Sequence, residues 1–212
     1  LFARVAVLYH DVGKLVRPTF FIENQGHIDN PHDLLDPQTS ARVILDHVSD
    51  GVRLAKKARI PSAIVSIIEQ HHGTSLVRYF YQRALDMGAD VAEEDFRYKG
   101  PKPQTKEAGV IMLADSVEAT VRSAAGSGRL VRPKDKAAEG KDTLESIVTR
   151  IIKDRVEDGQ LDECDLTLKE IEQIRRTFIQ MLEGVYHPRV EYPATAEPTA
   201  TPTTPATSPA SG

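Results

Sequence analysis

The sequence predicts an all-α fold, a bundle of helices, and three observations support this prediction. Apolar residues recur along residues 41–55 at the spacing of one helix face. Helix-start signals precede such runs, as at Asp36-Pro37 and at Thr167, where Glu170 completes a capping-box pattern. Strand-like alternation between turn residues is scarce along the chain.

Each predicted element follows from its own local pattern. Residues 1–9 read as a short apolar helix, and Pro18 lies in a long loop over residues 15–33. Asp142 stands before a further helix and has Glu145 three residues on. The remaining helices are expected over residues 37–58, 61–71, 75–87 and 106–123, and from residue 167 onward.

Composition excludes several classes of protein. The chain has 212 residues, of which 40% are apolar and 27% charged, so it is an ordinary globular sequence. Its net charge of -4 disfavours a DNA or RNA polymer as partner. Cys164 is the single cysteine, which excludes an internal disulfide and a cysteine-based zinc site. No run approaches the roughly 18 apolar residues that a membrane span requires.

The composition at the two ends of the chain predicts the limits of the folded domain. Residues 193–212 are rich in Pro, Thr and Ala and offer nothing larger than Ala to bury, so a disordered tail is expected there. The folded domain is then expected over residues 1–192. Leu1 opens in the middle of an apolar run, which suggests that the chain is part of a longer protein.

Histidine and aspartate residues form the most informative pattern. Six of the seven histidines fall between His10 and His72, and Asp11 directly follows the first of them. Imidazole and carboxylate ligands without thiolate suit Fe, Mn or Zn. One carboxylate can bridge two metal ions, whereas an imidazole binds one. A cluster of several histidines with one or two aspartates therefore predicts a dinuclear site.

Simpler readings exist for each of these residues. A lone helical histidine is more often a surface or core residue than a ligand, and His71-His72 at a helix end would favour the helix dipole. Asp115 lies within an apolar stretch, and a salt bridge to an arginine would satisfy it as a metal would. The hypothesis of a metal site therefore depends on these residues occurring together.

The order of these residues resembles the HD-domain phosphohydrolase superfamily. The motifs that carry the resemblance are His10-Asp11-Val12-Gly13-Lys14, His47, His71-His72-Gly73-Thr74 and Leu113-Ala114-Asp115-Ser116. Segments at residues 17–25, 114–119, 158–162 and 184–193 are similar to the seven-transmembrane HD family. Known members of that family include PgpH-type cyclic di-AMP phosphodiesterases, whose HD domain is cytoplasmic and follows a membrane region.

The resemblance implies two divalent transition metal ions, Fe or Mn, and a set of ligands. Asp11 would bridge the ions, His10 and Asp115 would bind one, and three histidines would bind the other. Those three are His47, His71 and His72. The family places one further histidine a helix upstream of His10, before the start of this chain. The resemblance also implies a cytoplasmic face of the cell membrane for the full-length protein, with the chain in hand soluble and its oligomeric state open.

The implied reaction is hydrolysis of cyclic di-AMP to linear pApA by hydroxide attack on phosphorus. Asp11 and Lys14 would be catalytic, and Lys14, Arg17 and Thr74 would contact the substrate. Lys14 is equally readable as a solvated lysine, and Thr74 as a helix cap. Two alternatives stay open, an HD phosphohydrolase for another nucleotide and a non-catalytic cyclic-dinucleotide sensor. A cyclic di-GMP enzyme of the HD-GYP type is disfavoured because no Gly-Tyr-Pro sequence occurs.

Overall fold

The fold is all-α, as predicted. A computed structural model describes residues 1–26, 29–131 and 141–186, and these contain seven α-helices and no β-strand. The helices are α1 (Phe2–Tyr9), α2 (Pro37–Lys57), α3 (Ser62–Gln70), α4 (Arg78–Asp86), α5 (Lys106–Gly126), α6 (Leu144–Glu157) and α7 (Leu168–Val185). The tail expected over residues 193–212 lies outside the described residues, so the domain limits stay predictions. None of the described helices has the length and apolarity needed to cross a membrane.

The segment between α1 and α2 is more ordered than the predicted loop. It winds into short 3₁₀ helices: Val12–Val16, Pro18–Phe20, Ile22–Asn24 and Pro31–Leu34. Two of them begin at a proline, whose fixed φ favours a first helical position. The prolines and glycines of this segment exclude a long α-helix, but they are compatible with single 3₁₀ turns.

Two helix starts differ from the sequence prediction. Helix α6 begins after Thr143, whose side chain forms a reciprocal capping box with Ser146, so Asp142 and Glu145 do not cap it. Helix α4 begins three residues later than expected because the backbone before it pairs with a distant segment. The N–H of Val77 donates to Phe96, and the N–H of Tyr98 donates to Ser75.

Helix α5 connects two hydrophobic clusters. Its residues Met112, Leu113 and Val117 pack with α6 in one cluster, and Ile111 packs with α1 and α3 in the other. Each fully buried side chain of this size stabilises the fold by about 1.5–3 kcal/mol. Asp115 is therefore carried by a helix that is fixed along both of its packed faces.

The 3₁₀ helix Val12–Val16 lies unusually close to α2 at two glycines. A Cβ atom on Gly13 would lie 1.8 Å from the carbonyl oxygen of His47 and 2.5 Å from the backbone nitrogen of Gly51. Only a residue without a side chain permits this approach. The contact fixes the segment that carries Asp11 against the helix that carries His47.

We expect Gly13→Ala to destabilise the protein by about 3 kcal/mol, because the added methyl group meets backbone atoms that cannot move aside. Thermal or denaturant unfolding measures this, and the metal content of the variant should fall as well. Gly126→Ala is the matched control, since a Cβ at Gly126 meets nothing within 4 Å. Equal stability of the Gly13 variant and wild type would contradict the close contact.

Candidate metal centre

Three histidines are oriented by the same local hydrogen bond. The Nδ1 atom of His10 lies 2.7 Å from the carbonyl oxygen of Val7, three residues earlier. The same bond joins His47 to Ile44 at 2.6 Å and His71 to Ile68 at 2.7 Å. A carbonyl oxygen can only accept, so Nδ1 donates in each case, and Nε2 is left to face the centre.

One group of ligand atoms comes from Asp11, His47, His71 and His72. Their ligand atoms all lie within 4.8 Å of one another. The Nε2 atoms of His47 and His71 are 3.2 Å apart, and they lie 3.5 and 3.6 Å from Asp11 Oδ1. This is the set that the family resemblance assigns to one metal ion.

A second group comes from His10, Asp11 and Asp115. The Nε2 atom of His10 lies 3.2 Å from Asp11 Oδ2 and 3.6 Å from Asp115 Oδ1. The ligand atoms of this group also lie within 4.8 Å of one another. Asp11 thus turns one carboxylate oxygen to each group, which is the arrangement that a bridging ligand requires.

The chemistry of these atoms fits divalent cations. Among the described residues, His10 Nε2 and Asp11 Oδ1 are buried without a hydrogen-bond partner. With both rings neutral, the lone pairs of His47 and His71 face each other, which is unfavourable unless a proton or a cation lies between them. Nitrogen and carboxylate ligands suit Fe, Mn or Zn, so a metal ion would satisfy all of these atoms.

Burial and charge set different protonation states across the centre. Burial lowers the pKa of His47 to about 4 and the pKa of His72 well below its usual value. Burial would also lower the pKa of His10, but the carboxylates of Asp11 and Asp115 outweigh it and raise that pKa to about 10. Burial would raise the pKa of Asp11, yet the rings of His10 and His71 beside it hold that pKa well below its usual range.

We expect metal binding at the His10 group to release about one proton at pH 7.5. The metal-free protein holds that proton because the pKa of His10 lies above the working pH, whereas His47 and His72 are already neutral. Titration calorimetry in two buffers of different ionisation enthalpy measures it. His10→Gln is the control and should lose this release, and wild-type binding without proton release would contradict the protonation of His10.

The other predicted site residues are placed differently. Lys14 lies with the centre, because its Nζ is 2.7 Å from Asp11 Oδ2 and 2.6 Å from Glu23 Oε1. Arg17 pairs with Asp46 at 3.1 Å and is not a member of either ligand group. The roles of Lys14, Arg17 and also Thr74 in substrate binding stay predictions.

Thr74 is part of a clamp that holds the turn after His72. Its N–H donates to Gln160 Oε1 at 2.9 Å, and its hydroxyl accepts from Gln160 Nε2 at 2.9 Å. Its carbonyl accepts from Arg97 at 2.8 Å, and Arg97 pairs with Asp158 at 2.9 Å. The clamp fixes the turn that follows the two adjacent histidines.

Sequence reasoning missed two side chains that shape the centre. Tyr98 stacks on His72, with ring centroids 4.4 Å apart and planes 22° from parallel, and burial raises the pKa of its hydroxyl. Gln160 is fully buried behind Thr74. Gln160 lies in the segment 158–162 that carried the family resemblance, whereas no local pattern points to Tyr98.

Comparison with known proteins shows the family to which the chain belongs. The HD domain family matches residues 2–120, more than half of the chain, and the chain belongs to this family. Cyclic-di-AMP phosphodiesterase PgpH of Bacillus subtilis is 48% identical over 193 residues, covering 91% of this chain and 26% of that protein. The PgpH protein of Listeria monocytogenes is 47% identical over 193 residues, again 91% of this chain and 25% of its own length. The chain thus spans about a quarter of these curated relatives.

A solved structure supports the same assignment. The crystal structure of the L. monocytogenes PgpH HD domain in complex with cyclic-di-AMP is 46% identical, with a TM-score of 0.77. The match covers 91% of this chain and 83% of that one. The helical-bundle architecture predicted from the sequence is therefore confirmed as an HD-domain fold.

Proposed function

We propose that this chain is a metal-dependent phosphodiesterase that hydrolyses cyclic di-AMP to linear pApA. The observation that carries the proposal is the pair of ligand groups sharing Asp11. This pair occurs in a chain whose fold matches an HD domain crystallised with cyclic-di-AMP. The reaction adds the oxygen of one water to phosphorus, breaks one bond from phosphorus to a 3′ oxygen and leaves a proton on that oxygen.

We propose Fe or Mn as the metal, with two ions held by the two groups. Asp11 would be common to both, His10 and Asp115 would complete one set, and His47, His71 and His72 would complete the other. When bound, such ions lower the pKa of water and stabilise charge on the phosphoryl oxygens. The relatives' identity supports the metal-dependent class, and the choice of Fe or Mn follows from the family resemblance.

Lys14 is the cationic side chain best placed to act beside the ligands. Its ammonium group is held between Asp11 and Glu23 and lies 5.2 Å from the centroid of the Phe21 ring. Burial would lower its pKa, but the two carboxylates raise it, so the group stays protonated at neutral pH. A fixed positive charge here would stabilise the charge that develops on a phosphoryl oxygen.

We also propose Arg17 and Thr74 as substrate contacts, but the structure supports them less strongly than Lys14. Arg17 is paired with Asp46 and Thr74 with Gln160, so each would exchange or share a protein partner on binding phosphate. Lys14 is also paired, but one of its partners is Asp11 itself, so its charge lies directly at the centre. We therefore propose Lys14 as the principal contact.

We also propose that the chain, over residues 1–192, is the catalytic HD domain of a longer protein at the cytoplasmic face of the membrane. The support is the resemblance to the seven-transmembrane HD family and the length of the curated relatives, of which this chain covers 25–26%.

Replacement of the shared carboxylate should abolish turnover of cyclic di-AMP. We expect Asp11→Asn to lower kcat about a thousandfold or more, because both ligand groups lose their common member. Chromatography of pApA from protein supplied with Fe or Mn measures the rate, and metal analysis should show reduced content. Asp86→Asn, an exposed change of the same kind at the end of α4, should leave the rate unchanged.

Two results would contradict the proposed function. If Asp11→Asn turned over cyclic di-AMP at the wild-type rate, Asp11 would have no role in the reaction. Hydrolysis of cyclic di-GMP as fast as cyclic di-AMP would remove the proposed substrate preference while leaving the phosphodiesterase chemistry intact.

Loss of the lysine charge should slow the reaction without removing the metal. We expect Lys14→Met to lower kcat/KM about a hundredfold, because one fixed charge beside the reacting phosphate is lost. Lys14→Arg should restore part of that loss, and Lys57→Met at the exposed end of α2 is the control. Steady-state kinetics at matched metal content measure this, and an unchanged Lys14→Met enzyme would show that the lysine is only structural.

A further inference from the structure

Arg155 is a cationic side chain at the centre that the sequence did not single out. It lies on α6, and its Nε donates a hydrogen bond to the hydroxyl of Ser116 at 3.2 Å. Ser116 directly follows Asp115, a member of the second ligand group. The bond therefore holds the guanidinium against the residue that follows this ligand on α5.

The outer end of the guanidinium has no partner in the described part of the chain. Its Nη1 and Nη2 atoms form neither a hydrogen bond nor an ion pair with any described residue, although Arg155 is only partly exposed. A half-buried cation without a paired anion is unfavourable. The four N–H groups of these two nitrogens are thus available to an anionic ligand.

Neighbouring groups show where the charge of Arg155 acts. Burial first, then the rings of His71 and His47, and also the charge of Arg155 lower the pKa of His72. The guanidinium acts on Tyr98 in the same direction, against the effect of burial and nearby carboxylates. The guanidinium therefore lies near enough to His72 and Tyr98 for its charge to act on both side chains.

We infer that Arg155 binds a phosphate of the substrate beside Asp115, as a second cationic contact on a different element from Lys14. The inference rests on the proposed function, in which the substrate is a phosphodiester. A guanidinium presents two parallel N–H donors that match two oxygens of one phosphate. A cyclic dinucleotide carries two phosphodiester charges, so a site with two separately held cations suits it.

Inorganic phosphate is the probe that tests this contact without requiring turnover. Titration calorimetry of phosphate into Mn-loaded protein should show an affinity about tenfold lower for Arg155→Gln than for wild type, because a charge-assisted bond is lost. Lys153→Gln removes the same charge from an exposed position of the same helix and should leave the affinity unchanged. Metal content and melting temperature should be equal in all three proteins.

Phosphate affinity that is equal in wild type and in folded, metal-loaded Arg155→Gln would overturn the inference. Arg155→Lys keeps the charge and most of the side chain, so it reports on the contact if the glutamine variant does not fold. Its phosphate affinity should lie below that of wild type, and wild-type affinity would again overturn the inference. If wild type binds phosphate through Arg155 but does not hydrolyse cyclic di-AMP, the proposed substrate fails while this contact stands.

Discussion

The position of one carboxylate, that of Asp11, determines the whole centre. Its two oxygens face different groups of ligands, so a shift of the side chain would disturb both at once. The shift is prevented by backbone contact, since Gly13 lies directly against the carbonyl of His47 and the nitrogen of Gly51. A side chain at either glycine would push the 3₁₀ segment away from α2, and the bridging geometry depends on this absence of side chains.

The imidazoles are oriented by short-range bonds that do not depend on a bound metal. In His10, His47 and His71, a bond from Nδ1 to the carbonyl three residues earlier fixes the ring and its tautomer. The helix itself supplies the acceptor, so the position of each ring is determined by the helix that carries it. The helices therefore fix both the direction and the tautomer of these three rings.

The sequence drew attention to these histidines and aspartates because several of them stand in adjacent pairs at helix ends. His10-Asp11 and His71-His72 are adjacent pairs, and helical periodicity alone was enough to place their helices. Tyr98 could not be found in this way, since it reaches His72 through backbone pairing between residues 75–77 and 96–98. The same long-range pairing delayed the start of α4, which local propensity had placed earlier.

Arg17 and Thr74 show that residues close to a motif in sequence also form contacts that the sequence does not predict. Both follow ligand residues closely, yet the fold gives each a protein partner of its own. Arg155 lies far from every motif in the sequence and is brought to the centre only by the packing of α6 against α5. Before metal is bound, three carboxylates (Asp11, Asp115 and Glu23) are balanced by three positive charges, the proton on His10 and the charges of Lys14 and Arg155. Divalent ions would replace that proton and leave an excess of positive charge, so phosphate binding should follow metal binding because the excess exists only once the ligands are occupied.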